Sequence, residues 1–260
     1  MPPQYLMAAK SPAARPPVDR APQARQALRM PVRAVLFDAG HTLLEMDYAA
    51  VTEVLAARGH AVTPAMVTAA ERRARIRLDH EQAAQPTRAR TGGGRYVRYL
   101  LEALGIADVG EQRAVAEWRR SFNLPVGLCH RADAEAADSL SRVRAAGLVT
   151  GVISNSNGSA RFALEHAGLA GHLDFVIDST VVGIAKPDPR VFHLGLKEAG
   201  VAAADAVYVG DSYFVDVLGA REVGMGAVLF DPGRLWGPRD CGVADGLGAA
   251  VDLALGAPEP

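Results

Sequence analysis

Cysteine is almost missing from this chain: Cys129 and Cys241 are the only two, in no CxxC pair and in no His/Cys cluster at zinc-ligand spacing. That excludes a disulfide scaffold and a structural zinc. Long apolar runs are missing too. No stretch is long enough to cross a bilayer, and the start of the chain has no continuous apolar segment of the secretory kind. Neither sign of charge is in excess, with 28 basic against 29 acidic residues, so there is no broad electrostatic footprint for nucleic acid or an anionic membrane. Lysine is scarce, three against twenty-five arginines. These absences predict a cytoplasmic protein whose partners are small molecules; nothing in the pattern speaks to its oligomeric state. The 260 residues, 49% of them hydrophobic, suffice for one full core and a modest insert, but not for two large domains.

Residues 1–30 are rich in Pro, Ala and Arg, with Asp19 the only acid, and no helical or strand period survives the prolines. They read as a disordered leader, an organelle transit peptide being the weaker alternative. A third reading makes Met30 the true start. From Val32 the run VRAVLF is apolar and β-branched and ends on Asp38; similar runs recur at 148–154, 173–178, 205–210 and 226–230. Stretches of helical character lie between them, near 133–146, 158–167, 188–199 and 213–223. Strands alternating with helices predict an α/β fold, a Rossmann-like, doubly wound parallel sheet, in which ligands sit beyond the carboxyl ends of the strands. Residues 46–128 break the alternation and read as consecutive helices, punctuated by Pro64, Pro86 and Gly92–Gly94. The predicted organisation is therefore a core over 31–45 and 129–255, a helical cap over 46–128 and a tail at 256–260.

Four strand ends carry polar residues in a suggestive order. VLFDAGHTL ends its strand on Asp38, GVISNSNG on Ser154, followed by Asn155. VGIAKPDPRVF sets Lys186 before Pro-Asp-Pro and a helix, and VYVGDSYFVD carries Asp211 and Asp216. Each alone also resembles an ordinary turn or helix cap. Together they resemble the signature of the haloacid dehalogenase superfamily, over most of residues 32–230. The resemblance implies that Asp38 is the nucleophile that forms an aspartyl phosphate. It implies that Ser154 and Asn155 contact the phosphoryl group and that Lys186 neutralises its charge. Magnesium would be held by Asp38, the Gly40 carbonyl and Asp211, with Asp216 acting through water or by orienting Lys186.

One position departs from that pattern. The family's phosphatases carry a second aspartate two residues after the nucleophile, as acid and base; here it is Gly40, followed by His41 where glycine is more familiar. A glycine keeps the carbonyl but loses acid/base help worth about 10²–10⁴ in rate. Three readings follow: a slow phosphatase or one restricted to good leaving groups, a carbon–halogen hydrolase, or a phosphate-binding module without efficient turnover. The halogen hydrolases place a bulky aromatic at this position and need no metal, so Gly40 with Asp211 and Asp216 points to the metal-dependent branch. Phosphonate cleavage through a Schiff base needs a cap lysine, and 46–128 contains none. The arginines of the cap, among them Arg72, Arg73, Arg75 and Arg77, are spread around their helix and read as solvated surface with one or two substrate contacts. The apolar Leu100, Leu101, Leu104 and Trp118 read as the cap's own core.

Overall fold

A computed structural model describes residues 32–84, 93–122 and 125–256. The expected leader, the turn signals Pro86 and Gly92, and residues 257–260 lie outside it, while Gly93 and Gly94, expected in a turn, open a helix instead. Strand β1 (Ala34–Phe37) is followed by a short β2 (Leu44–Met46) and four helices: α1 (Tyr48–Ala57), α2 (Pro64–Ala84), α3 (Gly93–Ala103) and α4 (Val109–Phe122). Then come β3 (Cys129–Ala132), α5 (Ala136–Ala145), β4 (Val149–Ser154), α6 (Ala160–His166), β5 (Phe175–Asp178), α7 (Ser179–Val182) and α8 (Pro189–Ala199). The chain closes with β6 (Ala206–Gly210), a π-helical turn at Tyr213–Leu218, α9 (Gly219–Glu222), β7 (Gly226–Phe230), β8 (Gly242–Ala244) and α10 (Leu247–Leu255).

Six strands form one parallel sheet in the order β5-β4-β1-β6-β7-β8. β1 is central, and all four of its residues are fully buried, because a strand covered by helices on both faces has no solvent side. Its side chains alternate between the faces. Val35 and Phe37 join the cluster with Leu140 and Val143 of α5 and Leu247 and Val251 of α10, while Ala34 and Leu36 join Val191, Phe192 and Leu196 of α8. The boundary of α8 is written locally. Asp188 accepts a hydrogen bond from the Arg190 N–H at 3.0 Å, Pro189 opens the helix, and Gly200 closes it at φ 64°.

The expected strands and the parallel α/β sheet are all present. Three further short strands escape the sequence pattern. β2 and β3 pair antiparallel where the chain leaves for the helices and returns, and β8 extends the sheet edge. Three or four residues are too few to show a period, and β3, with the sequence CHRA, is half polar. The helices α1–α4 enclose a core of their own, with Val51, Leu55, Val67, Tyr96, Leu100 and Leu101 buried and Leu104 and Trp118 packed against it. Among the described residues no helix is long and apolar enough to cross a membrane.

Candidate active site

The parallel sheet brings its carboxyl ends to one rim, and the sequence-predicted residues meet there. Asp38 follows β1, its N–H bonded to the Val209 carbonyl of β6 at 2.9 Å. Lys186, in the loop before α8, is 4% exposed. Its Nζ donates to Asp38 Oδ1 at 2.7 Å, to Asp216 Oδ1 at 2.7 Å and to the Tyr208 hydroxyl at 2.8 Å, using all three ammonium protons. Asp211 comes off the end of β6. One carboxylate oxygen from each of Asp38, Asp211 and Asp216 lies within 4.8 Å of the others, and all three residues are buried. Ser154, buried at the end of β4, and Gly40 line the same cavity of about 670 Å³.

Local structure explains how Asp216 reaches back. The Val217 N–H bonds the Ser212 carbonyl five residues earlier, the widened turn of a π-helix, while the Asp216 Oδ2 accepts from the Ser212 N–H at 3.0 Å. Gly210 makes room for this: a Cβ there would stand 2.5 Å from the Asp216 carboxyl carbon. Asn155 lines the same cavity and also holds the backbone beside it. Its amide donates to the Lys186 carbonyl at 2.9 Å and accepts from the Lys186 N–H at 2.8 Å, which orients the lysine backbone. At His41 the backbone has φ 65°, the left-handed region that glycine adopts without cost.

Electrostatics follow from burial and pairing. Desolvation raises the Asp38 carboxyl above its usual range, against the pull of Lys186. Burial likewise pushes Asp211 up to about 6, opposed by Arg75, and Asp216 up to about 6, opposed by Lys186. Lys186 resists the opposite desolvation because Asp216 and Asp38 hold its proton well above the usual range. Burial lowers His41 to about 4 despite Glu71, so its imidazole is neutral at pH 7. Three buried carboxylates against the Lys186 ammonium and the Arg75 guanidinium still leave negative charge at the rim, and hard oxygen donors at this separation suit a small divalent cation.

Several residues at the site were not anticipated. Tyr208 sits in a strand that reads as apolar, yet it accepts from Lys186 and donates to the Ile153 carbonyl at 2.7 Å. A tyrosine inside a buried strand is itself a signal, since its hydroxyl needs a partner. Helix α2 contributes Glu71, Arg75 and Asp79. The Arg75 guanidinium reaches Asp211, and its Nε lies 2.6 Å from the fully buried Glu71. For Arg75 the solvated-surface reading is therefore corrected: its side chain is only 16% exposed. The i, i+4, i+8 spacing of Glu71, Arg75 and Asp79, which sets them on one face, was the available clue.

The family model for haloacid dehalogenase-like hydrolases matches residues 32–224. Haloacid dehalogenase-like hydrolase domain-containing protein 3 of Bos taurus is 37% identical over 134 residues, 51% of this chain and 53% of that protein. Phosphoserine phosphatase of Thermus thermophilus is 39% identical over 134 residues, 52% of each chain. The chain thus spans about half the length of these curated relatives. The HAD hydrolase YfnB of Bacillus subtilis, bound to magnesium, superposes with a TM-score of 0.62 over 86% of this chain and 99% of that one, at 18% identity, a likeness of fold. The matched span starts before Asp38 and ends beyond Asp216, so it takes in the whole rim with its helical insert, and the chain belongs to the haloacid dehalogenase-like hydrolase family.

Proposed function

We propose that this chain is a magnesium-dependent phosphatase that acts on a small phosphorylated metabolite through an aspartyl phosphate on Asp38. The observation that carries the reading is the bridge of Lys186 between Asp38 and Asp216, with Asp211 and Ser154 beside it in one cavity. The name of the Thermus relative, a phosphoserine phosphatase, supports phosphoryl chemistry. In this reading residues 31–45 and 129–255 form the core and 46–128 the cap that selects the substrate. Cytoplasmic residence, and partners that include neither nucleic acid nor membrane, complete the proposal.

The residues fit the cation. Asp38, Asp211 and the Gly40 carbonyl would hold it and Asp216 would support it, all hard oxygen donors. When bound, magnesium supplies positive charge against the phosphoryl oxygens. The protein's own steps are these. Lys186 keeps Asp38 ionised and sets its positive charge against the phosphoryl group, whose oxygens the Ser154 hydroxyl steadies. An Asp38 carboxylate oxygen attacks phosphorus, and the bond to the leaving oxygen breaks with its electron pair. No carboxyl at position 40 protonates that oxygen, so water supplies its proton. A second water then attacks phosphorus, the aspartyl–phosphorus bond breaks, and carboxylate and inorganic phosphate are restored. Lacking a positioned base, this half-reaction is the slow one.

A screen of phosphorylated metabolites in magnesium, with Asp38→Asn as the blank, tests the proposal. Acid quench with mass spectrometry should find phosphate on Asp38. Equal rates for both proteins across the screen would instead favour a phosphate-binding module.

A further inference from the structure

Helix α2 meets the segment that carries Asp211 and Asp216 at two points of opposite charge. Asp79, 4% exposed, accepts hydrogen bonds from the Ser212 hydroxyl, from the Phe214 N–H at 3.0 Å and from the Val215 N–H at 3.3 Å. One turn earlier on the same face, the Arg75 guanidinium contacts the Asp211 carboxylate. The docking continues beside them. His80 packs edge-on against Trp236 with ring centroids 5.6 Å apart, and the Trp236 indole N–H donates to the Asp211 carbonyl at 3.1 Å.

Each contact has a distinct physical effect on a cation at the rim. Asp79 satisfies donors of the turn between Asp211 and Asp216, so it holds both carboxylates in place from outside. Arg75 does the reverse: its guanidinium holds the Asp211 Oδ2 and sets a positive charge against a carboxylate that a metal ion would use. Displacing Arg75 strands no buried charge, because Glu71 remains 2.6 Å from its Nε, with Oε2 unpartnered among the described residues.

Resting on the magnesium reading above, we infer that α2 is an outer part of the cation site, with Asp79 a positioning residue for the Ser212–Val215 turn and Arg75 an internal competitor for Asp211. Cation affinity then reports how the helical insert is docked on the core. Loss of an outer-shell partner costs about 10–100-fold in metal affinity, so Asp79→Asn weakens binding by that factor. Arg75→Gln removes a charge-assisted contact and tightens binding about tenfold. A residue that merely stabilised the fold would move both variants in the same direction.

The experiment is calorimetric titration of magnesium chloride into the chelator-treated full chain, for wild type, Arg75→Gln, Asp79→Asn and the milder Ser212→Ala, with thermal unfolding as a folding check. The inference expects tighter binding in Arg75→Gln and weaker binding in Asp79→Asn and Ser212→Ala. Should Asp79→Asn not fold, Ser212→Ala against Arg75→Gln decides the matter. Shifts of the same sign, or no shift in any variant while wild type binds, overturn the role given to α2 and leave the magnesium reading standing. No binding by wild type overturns the magnesium reading and this inference with it.

Discussion

Replacing Gly40 by aspartate should turn a slow second half-reaction into a fast one, and the structure says what that costs. A Cβ at Gly40 meets only the Cys129 Sγ, at 3.9 Å, ordinary van der Waals contact, and Gly40 is not among the residues with positive φ. The backbone carbonyl stays where it was. The new carboxyl enters a rim already crowded with Asp38 and Asp211, and a like charge about 6 Å away costs about 3 kcal/mol at an effective dielectric of about 20. That repulsion raises its pKa toward neutrality, which is where a general acid works best. Acid/base help of about 10²–10⁴ in rate corresponds to about 3–5 kcal/mol of barrier. The assay is steady-state turnover over a series of phosphate monoesters with leaving groups from nitrophenol to simple alcohols, beside acid-quench trapping of the phosphoenzyme. Gly40→Asp should raise kcat/KM most on the alcohols and flatten its dependence on leaving-group acidity, raise kcat alike for every ester because all share one phosphoenzyme, and shorten the life of phosphorylated Asp38. A uniform gain in kcat/KM across the series, or none on the alkyl esters, would refute the claim that position 40 is the missing acid and base.

Other perturbations follow from the same geometry. Lys186→Met leaves Asp38 and Asp216 buried without their cation; unfolding in denaturant should show a loss of about 3–5 kcal/mol, with turnover abolished. Gly210→Ala drives a Cβ into the Asp216 carboxylate, so the variant should fold with a weakened cation site, seen as a raised magnesium requirement. Because burial lifts Asp211 and Asp216 to about 6, protons compete with the cation below that pH. Apparent magnesium affinity should hold above pH 6 and fall by up to about a hundredfold per pH unit beneath it, tenfold for each carboxylate; calorimetry on either side of pH 6 would expose a flat profile. His41 is neutral and its Nδ1 has no partner among the described residues. His41→Ala should therefore leave the leaving-group dependence unchanged, and a steeper dependence would make the imidazole a proton donor.

Much of the rim was legible without coordinates because its logic is local. A run such as AVLF, buried on both faces, must be a central parallel strand, and a polar residue at its end must emerge at the ligand-bearing edge. That reasoning puts Asp38, Ser154 and Asp211 at the edge, while Lys186, in the loop before α8, Asp216 and the departure at Gly40 are legible only through the resemblance to the family's motifs. It finds neither the β2–β3 ribbon nor the partners of Arg75 and Asp79, which lie 136 and 133 residues away along the chain.

Composition and periodicity alone determined the layered α/β class and the helical insert, since these depend on residues a few positions apart, and the resemblance of four short motifs to a known family added the chemistry. Only the folded chain decided that Asn155 clasps the Lys186 backbone, that Tyr208 completes the ammonium's three bonds, and that a surface-looking arginine is largely buried against Asp211. Such choices depend on which distant groups share a dry pocket, where an unpaired charge or hydroxyl is too costly to leave, and pairing of that range leaves no trace in local pattern.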